Sequence, residues 1–237
     1  NDVAPIANAG GPYTITEGSG VTLDASASTA PGTDTIASAD IKWDLDNDGA
    51  YDDATGVNPT VTWATLKTLG LNTAGASLTI GVQVTDSDGD VDTDTGLLFA
   101  VNNAAPTADA GGPYTITEGS SVTLNAGGST DPGDDALTYL WDLDGDGAYD
   151  DAAGVGPTVS WATLKALGLA SDGSALTISV RADDGQLGGV SFDNAALTIN
   201  NAAPVPNAGG PYTITEGQDL VLAGSAADAG GDALTYG

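Results

Sequence analysis

The 237-residue sequence contains no Cys, His or Met, and its few basic residues are Lys42, Lys67, Lys165 and Arg181. Without Cys and His, the chain cannot form disulfides or the usual zinc, haem and iron–sulfur sites. It also lacks a His base and a Cys nucleophile, and no Ser has an obvious activating partner. Paired carboxylates could hydrolyse glycosides, but here they lie in repeated loops with no sign of a large cleft. We therefore predict that the chain is not an enzyme.

The charge is strongly negative, with 33 acidic residues against 4 basic ones and a formal net charge of −29. Phosphate binding needs clustered Lys and Arg, so a nucleic-acid partner is excluded, and anionic membrane surfaces would repel the chain. Only Glu17, Glu118 and Glu216 are Glu, and all the other acids are Asp. Asp is typical of turns and of oxygen-ligand metal loops. Adaptation to high salt is an alternative explanation of the charge, and it does not exclude calcium.

The sequence has neither a recognisable signal peptide nor an apolar run of 18 or more residues. We therefore expect no membrane insertion in this segment, and the chain looks like a mature fragment or part of a longer protein. A composition rich in Ala, Gly, Thr, Ser and Asp with little Lys is typical of bacterial or archaeal surface proteins. We predict an extracellular location, either secreted or on the cell surface.

Internal repetition is the strongest signal in the sequence. Ala-Gly-Gly-Pro-Tyr-Thr-Ile-Thr-Glu-Gly occurs at 9–18, 110–119 and 208–217. Other blocks keep the same register, so we predict repeat 1 at 1–103, repeat 2 at 104–201 and the start of an incomplete repeat 3 at 202–237. Such a third piece cannot close a core by itself. Either its remainder lies outside this sequence, or a neighbouring identical chain supplies the missing strands, as in a filament.

Within each repeat, apolar residues alternate with polar ones, as at Leu176, Ile178 and Val180. This period of two predicts half-buried strands separated by Gly-, Pro- and Asp-rich turns. The exceptions are two segments beginning at Trp63 and Trp161, each predicted to be a short helix that ends at a Gly. We therefore predict an all-β chain of tandem antiparallel immunoglobulin-like β-sandwiches, each with one short helical insert.

Repeat 2 runs from Ala105-Pro106, through Ala110-Gly-Gly-Pro-Tyr114 and Gly128-Ser-Thr-Asp-Pro132, to Trp141-Asp-Leu-Asp-Gly-Asp-Gly147, and with these segments it resembles a PKD (polycystic kidney disease) domain. The resemblance extends over essentially all of residues 1–201 and the start of repeat 3. The family more commonly has Trp-x-Phe-Gly-Asp-Gly, so this variant carries more carboxylates, and the helical insert is a further departure. The resemblance implies a spacer or adhesive module on a cell surface, or an accessory module of a secreted hydrolase. Trp43 and Trp141 occupy the strand position where sandwich domains bury a core Trp.

One motif predicts a metal site in each repeat. Carboxylates at positions 1, 3, 5 and 9 with Gly at position 6 reproduce the front of an EF-hand loop, and the backbone carbonyl at position 7 could add a ligand. Position 12 is Thr55 or Ala153 instead of Glu, so Asp53 and Asp151 are the nearest candidates for the missing ligand. The predicted Ca²⁺ ligands are Asp44, Asp46, Asp48, Ala50, Asp52 and Asp53 in repeat 1, and Asp142, Asp144, Asp146, Ala148, Asp150 and Asp151 in repeat 2. A solvated Asp- and Gly-rich turn is the alternative.

Electrostatics favours an ion in these loops. Two carboxylates about 4 Å apart repel by roughly 1–4 kcal/mol at effective dielectric constants between those of water and a protein surface. Several converging carboxylates would therefore open the loop unless a cation joined them. Ca²⁺ accepts six to eight oxygens and fits this set of ligands better than Mg²⁺, which keeps its waters.

Further acids form candidate secondary metal sites, for each of which a hairpin turn is an equally good explanation. Asp86, Asp88 and Asp90, followed by Asp92 and Asp94, precede the last strand of repeat 1. The remaining candidates are Asp131, Asp134, Asp135, Asp183, Asp184, Asn103, Glu17 and Glu118. For both Glu residues, a solvated turn acid is the simpler interpretation.

Sandwich topology suggests that the Asp44–Asp53 loop faces residues 131–135 and 183–185 of the next repeat. Calcium at this junction would stiffen the array. We predict a calcium-binding extracellular structural repeat in a stalk, adhesin segment or filament. Its partners would be neighbouring repeats, identical chains and an unknown surface ligand. The alternative, an accessory substrate-binding module of a secreted hydrolase, would require an exposed line of aromatic residues.

Overall fold

The first repeat forms two sheets in the computed structural model, which describes residues 3–75, 77–170, 173 and 175–236. The larger sheet has the strand order β1-β7-β6-β3-β4, and β2 pairs with β5 in the smaller one. Strand β1 runs parallel to β7, and the other pairs are antiparallel. The elements are β1 (Tyr13–Thr16), β2 (Val21–Thr22), β3 (Ile41–Asp44), β4 (Ala54–Thr55), β5 (Thr60–Val61), α1 (Trp63–Thr68), β6 (Ser77–Thr85) and β7 (Val91–Asn102), with a 3-10 turn at Ser38–Asp40.

The second repeat has the same topology. Its larger sheet has the order β11-β10-β13-β14-β8, with β8 parallel to β14, and β9 pairs with β12. The elements are β8 (Tyr114–Thr117), β9 (Val122–Thr123), β10 (Thr138–Asp142), β11 (Ala152–Ala153), β12 (Thr158–Val159), α2 (Trp161–Ala166), β13 (Ala175–Asp183) and β14 (Val190–Asn200). The predicted all-β, immunoglobulin-like architecture with one short helix per repeat is confirmed.

A tryptophan lies at the centre of each core. Trp43 and Trp141 are fully buried, and each indole N–H donates to a backbone carbonyl 3.1 Å away, on Gly56 and Gly154 respectively. These bonds satisfy the one polar atom of a side chain that otherwise contributes a large apolar surface. The predicted role of both residues in packing is confirmed.

The two short helices begin with a capping hydroxyl. The side chain of Thr62 accepts from the backbone N–H of Thr65, and Ser160 does the same for Thr163. Such caps satisfy N–H groups that have no partner within the helix. Helix α1 begins at Trp63 and helix α2 at Trp161, and both side chains are partly buried and pack against the core of their own repeat. Leu66 and Leu164, one turn later, are fully buried.

The start of repeat 1 is held by a tyrosine hydroxyl and two carboxylates. Tyr13 Oη donates to Ala9 O at 2.7 Å and accepts from Asp24 N at 2.8 Å. Asp92 and Asp94 accept from the backbone N–H groups of Ala7 and Ala9, both at 2.9 Å. The sequence placed these two acids beside a candidate metal cluster. The structure instead shows them holding the first segment of the chain in place.

Repeat 3 contains one short antiparallel pair in the described residues, β15 (Val205–Asn207) with β16 (Ser225–Ala227). Leu220 and Leu222 are 49% and 68% exposed, whereas their counterparts Val122 and Leu124 are buried in the core of repeat 2. The described part of repeat 3 therefore leaves these core-type side chains exposed.

The chain divides into two compact units that do not coincide with the sequence repeats. Unit 1 contains Asn1–Ala105, Asp131–Ala136 and Asp184–Gly189, and unit 2 contains Pro106–Thr130, Leu137–Asp183 and Val190–Gly237. The repeat boundaries at 103 and 201 stay a prediction. None of the helices in the described ranges has the length and apolar character needed to cross a bilayer.

Candidate metal centres

The predicted loop brings three carboxylates together in each repeat. One carboxylate oxygen from each of Asp44, Asp46 and Asp48 lies within 4.8 Å of the others, and Asp142, Asp144 and Asp146 do the same. The first position of each loop belongs to a strand and is 5% exposed, whereas the other two positions are exposed. Each cluster therefore has one carboxylate fixed by the sheet and two that reach towards it from the turn.

Backbone N–H groups shape the first of these loops. Asp44 Oδ2 accepts from Gly49 N at 3.1 Å, and Gly49 has a φ of +92°, a conformation that glycine adopts readily. Asp44 Oδ1 is buried and has no hydrogen-bond donor among the described residues. In repeat 2 the matching atom, Asp142 Oδ1, accepts from Gly145 N at 2.7 Å. The two loops therefore differ in how completely their buried carboxylates are satisfied.

The acids at the end of the predicted loop lie outside these clusters. Asp53 Oδ2 accepts from Leu45 N at 2.6 Å, and Asp151 Oδ2 accepts from Leu143 N at 2.7 Å. These two carboxylates tie the loop back onto its strand, a role that the sequence did not predict. Four further predicted ligands are outside these clusters. They are the carboxylates of Asp52 and Asp150 and the backbone carbonyls of Ala50 and Ala148. Their assignment as ligands stays a prediction.

A second kind of cluster lies within unit 1 and joins Glu17 to Asp131 and Asp135, again with one carboxylate oxygen from each within 4.8 Å of the others. Glu17 is only 3% exposed, so the simpler interpretation of a solvated turn acid is wrong. Its Oε2 accepts from Ala104 N at 3.1 Å. Asp131 Oδ1 accepts from the N–H groups of Gly133 and Asp135 at 2.8 and 3.1 Å.

Three buried acceptor oxygens of this cluster and its surroundings have no donor among the described residues, namely Glu17 Oε1, Asp131 Oδ2 and Asn103 Oδ1. The amide of Asn103 donates to Asp184 Oδ2 at 3.0 Å, which brings a fourth carboxylate to the group. Burial and the charges of the nearby aspartates raise the pKa of Glu17. Burial and the charge of Asp131 likewise raise the pKa of Asp135.

Unit 2 contains the corresponding cluster, formed by Glu118, Asp228 and Asp232. Glu118 is 4% exposed, its Oε2 accepts from Ala202 N at 3.0 Å, and its Oε1 is buried without a donor in the described residues. Glu118 is therefore also not a solvated turn acid. Glu216, the third copy of this residue, is exposed.

A fifth cluster joins Asp34 to Asp86 and Asp88. Asp86 is 4% exposed, and its Oδ1 accepts from Gly89 N and Asp90 N at 3.1 and 2.9 Å, as expected for a tight turn. Its Oδ2 is buried with no donor in the described part of the chain. Asp34 was not among the predicted ligands, although the repeat register aligns it with the candidate ligand Asp135.

The remaining candidates have other contacts. Asp134 forms an ion pair with Lys67, and Asp183 forms one with Arg181. Asp135 Oδ2 accepts from the side-chain amide of Gln186, which the sequence did not single out. The Asp44–Asp53 loop was predicted to face residues 131–135. In unit 1, the carboxylate that joins Asp131 and Asp135 is instead that of Glu17.

Residues 103–163 match a family model described as the PKD domain, which confirms the resemblance predicted from the sequence. The matched segment includes the Asp142–Asp146 loop. Repeat 2 thus carries a PKD domain signature on an immunoglobulin-like fold. No curated protein matches the chain significantly.

Solved structures of low sequence identity also resemble the chain. The insect immune protein hemolin is 11% identical with a TM-score of 0.49, over 83% of this chain and 47% of that one. The fibronectin(III)-like modules of Clostridium thermocellum CbhA are 13% identical with a TM-score of 0.30, over 83% and 94% of the two chains. Titin domains z1z2 in complex with telethonin are 18% identical with a TM-score of 0.35, over 86% and 100%. The chain thus spans about half the length of hemolin.

Proposed function

We propose that the chain is a calcium-binding, non-catalytic structural segment of an extracellular stalk, adhesin or filament. The proposal depends on one observation. Asp44, Asp46 and Asp48 converge within 4.8 Å in repeat 1, and the equivalent carboxylates converge in repeat 2. The buried Asp44 Oδ1, which has no donor in the described residues, supports a cation in the first loop.

The chemistry of this ligand set favours Ca²⁺. The available ligands are carboxylate and backbone oxygens, which hard cations prefer, and a loop on an exposed turn can adjust to the irregular coordination that Ca²⁺ accepts. Mg²⁺ demands near-octahedral geometry and dehydrates reluctantly. Extracellular calcium modules typically bind with dissociation constants of about 10⁻⁴–10⁻³ M, a range that suits a secreted protein.

A structural role fits the packing of the aromatic residues better than substrate binding does. Trp43 and Trp141 are fully buried, and Trp63 and Trp161 pack against the cores. The four tryptophans therefore do not form the exposed aromatic line that a polysaccharide-binding module of a secreted hydrolase would need. Tandem repetition itself favours a protein whose task is length and contact.

The partners in this proposal are other repeats. The exposed Leu220 and Leu222 of repeat 3 correspond to core positions of repeat 2. Strands from a continuation of the same chain or from an identical chain would cover them. In a filament, strands supplied by an identical chain would link successive subunits.

Calorimetric titration of the chain with Ca²⁺ tests the proposal. We expect the two aspartate loops to bind one Ca²⁺ each, and a D46N/D144N double variant to lose both of these sites. The melting temperature should rise in Ca²⁺ relative to EDTA, because an ion bound only by the folded state stabilises it. An unchanged melting temperature in the two conditions would refute calcium binding. Small-angle scattering tests the stiffening claim separately, since an unchanged maximum dimension with and without chelator would contradict it.

A further inference from the structure

We infer that the chain has a second class of cation site, in which the Glu of a Thr-Glu-Gly turn in one repeat and the aspartate loop of the next repeat together bind one Ca²⁺. In unit 1 the ligands are Glu17, Asp131 and Asp135, and in unit 2 they are Glu118, Asp228 and Asp232. The inference extends the proposed calcium-binding function to a site whose ligands come from two successive repeats.

The Glu17 carboxylate is buried and only partly hydrogen-bonded in the described residues. Glu17 is 3% exposed, and among the described residues its Oε2 has a hydrogen-bond donor, the backbone N–H of Ala104, whereas its Oε1 has none. Oε1 is buried, and one oxygen of this carboxylate lies within 4.8 Å of one oxygen from each of Asp131 and Asp135. Burying a charged oxygen without a partner is costly, and burying it beside other carboxylates is more so. A cation at this position would remove both penalties.

The unsatisfied buried atoms around Glu17 are of one chemical kind. Asp131 Oδ2 and Asn103 Oδ1 are also buried acceptors without a donor in the described chain. All three are oxygens, the ligand type that Ca²⁺ prefers. Lys67 pairs with Asp134, which is not one of the converging carboxylates. In the described part of the chain, neither this ion pair nor that of Arg181 with Asp183 involves one of the three converging carboxylates.

The Glu17 carboxylate packs closely over the loop that contains Asp131 and Asp135. A Cβ added to Gly133, which lies between Asp131 and Asp135, would come within 2.8 Å of Glu17 Cδ and 2.9 Å of Asp135 Oδ2. The Glu17 carboxylate thus lies directly against the aspartate loop. A side chain at position 133 would crowd the carboxylates that we assign to the ion.

The arrangement recurs in unit 2. Glu118 Oε2 accepts from Ala202 N, which matches the bond from Ala104 to Glu17, and Glu118 Oε1 is again buried without a donor. A Cβ added to Gly230 would meet Glu118 Oε1 at 2.4 Å. Two copies of one arrangement, with the same atom unsatisfied in each, are difficult to explain as accidents of packing.

Calorimetric titration of the whole chain with Ca²⁺ distinguishes this class from the aspartate loops. We expect Glu17→Gln to lower the stoichiometry by one equivalent, or to weaken one site at least tenfold, because Gln lacks the charge and offers one oxygen. Glu118→Gln should remove a second equivalent. Glu216→Gln is the matched control, since Glu216 stands in the same Thr-Glu-Gly sequence but is exposed, and it should leave the titration unchanged.

A second variant guards against misfolding of the first. Gly133→Ala keeps every carboxylate and crowds the site, and we expect it also to weaken one site at least tenfold while the circular dichroism spectrum stays native. Unchanged Ca²⁺ titrations for both Glu17→Gln and Gly133→Ala would overturn the inference, and would indicate a carboxyl proton in place of the ion. In that case the loss of binding in D46N/D144N would still support the proposed function. Weakened binding in Glu17→Gln and Gly133→Ala together with an unchanged titration of D46N/D144N would overturn the aspartate-loop sites and leave this inference standing.

Discussion

Replacing Asp46 by Asn should stabilise the chain without calcium and destabilise it with calcium. Asp46 has carboxylate neighbours within 4.8 Å on two sides, Asp44 and Asp48. At that distance each pair repels by about 0.9 kcal/mol in a water-like dielectric, so the substitution relieves roughly 2 kcal/mol before salt screening. The hydrogen bond from Asp48 N to Asp46 Oδ1, 3.2 Å long, can be kept by the Asn carbonyl. In EDTA the variant should therefore be as stable as the parent or more so.

Calcium reverses the sign of the effect of Asp46→Asn on the free energy of unfolding. At about 10 mM Ca²⁺ and a dissociation constant of about 10⁻⁴–10⁻³ M, one bound ion stabilises the folded state by about 1.4–2.7 kcal/mol. Asp46→Asn forfeits most of this gain, so its free energy of unfolding should fall below that of the parent. Urea unfolding in EDTA and in Ca²⁺ measures both quantities. Asp40→Asn, an exposed acid on the 3-10 turn, is the control and should respond equally in both conditions.

A destabilisation of the same size in EDTA and in Ca²⁺ would refute this reasoning, since it would mean that Asp46 acts through the turn alone. The same pair of measurements on Asp52→Asn examines the sequence-based ligand set. If Asp52 is a ligand, its replacement should show the same calcium dependence as that of Asp46.

Three further predictions concern stability and are checked by urea unfolding. Leu164→Ala should lower the free energy of unfolding by about 2–5 kcal/mol, because the side chain is fully buried, whereas the exposed Leu187→Ala should have little effect. Tyr114 makes the same two hydrogen bonds in repeat 2 as Tyr13 makes in repeat 1, donating to Ala110 O and accepting from Asn125 N. Tyr114→Phe should lose both and cost roughly 1–3 kcal/mol, and a neutral result would contradict an anchoring role for this hydroxyl. Ser160→Ala should cost about 1 kcal/mol through the lost helix cap, and Ser160→Thr, which keeps the hydroxyl, should restore most of it.

Much of the fold could be predicted because its determinants are local. The period of two in β13 and the Gly after each short helix are properties of neighbouring residues. The convergence of Asp44, Asp46 and Asp48 is equally local, since acids at every second position of a turn can face one centre. The sequence motif was therefore sufficient to locate this cluster.

The predictions were wrong or incomplete where the environment of a residue depends on residues far away in the sequence. A solvated acid was the simpler of two interpretations of Glu17 because its sequence neighbours form a turn, but its contacts are with residues about a hundred positions later. Asp92 and Asp94 belong to an acidic run, yet on strand β7 they face the same side and meet Ala7 and Ala9, which have the same spacing. Composition alone could not separate these anchoring acids from the acids of the turn before them.

The parallel pairing of β1 with β7 has a mechanical consequence. The four pairs from Tyr13 with Phe99 to Thr16 with Asn102 join the first strand of repeat 1 to its last. In a parallel pair, the start of one strand and the end of the other lie at opposite ends of the ladder. Tension applied through the two ends of the domain would therefore slide the strands past each other and load these pairs together, so that they rupture in shear and do not peel apart one at a time. The same pairing of β8 with β14 gives repeat 2 the same resistance to pulling.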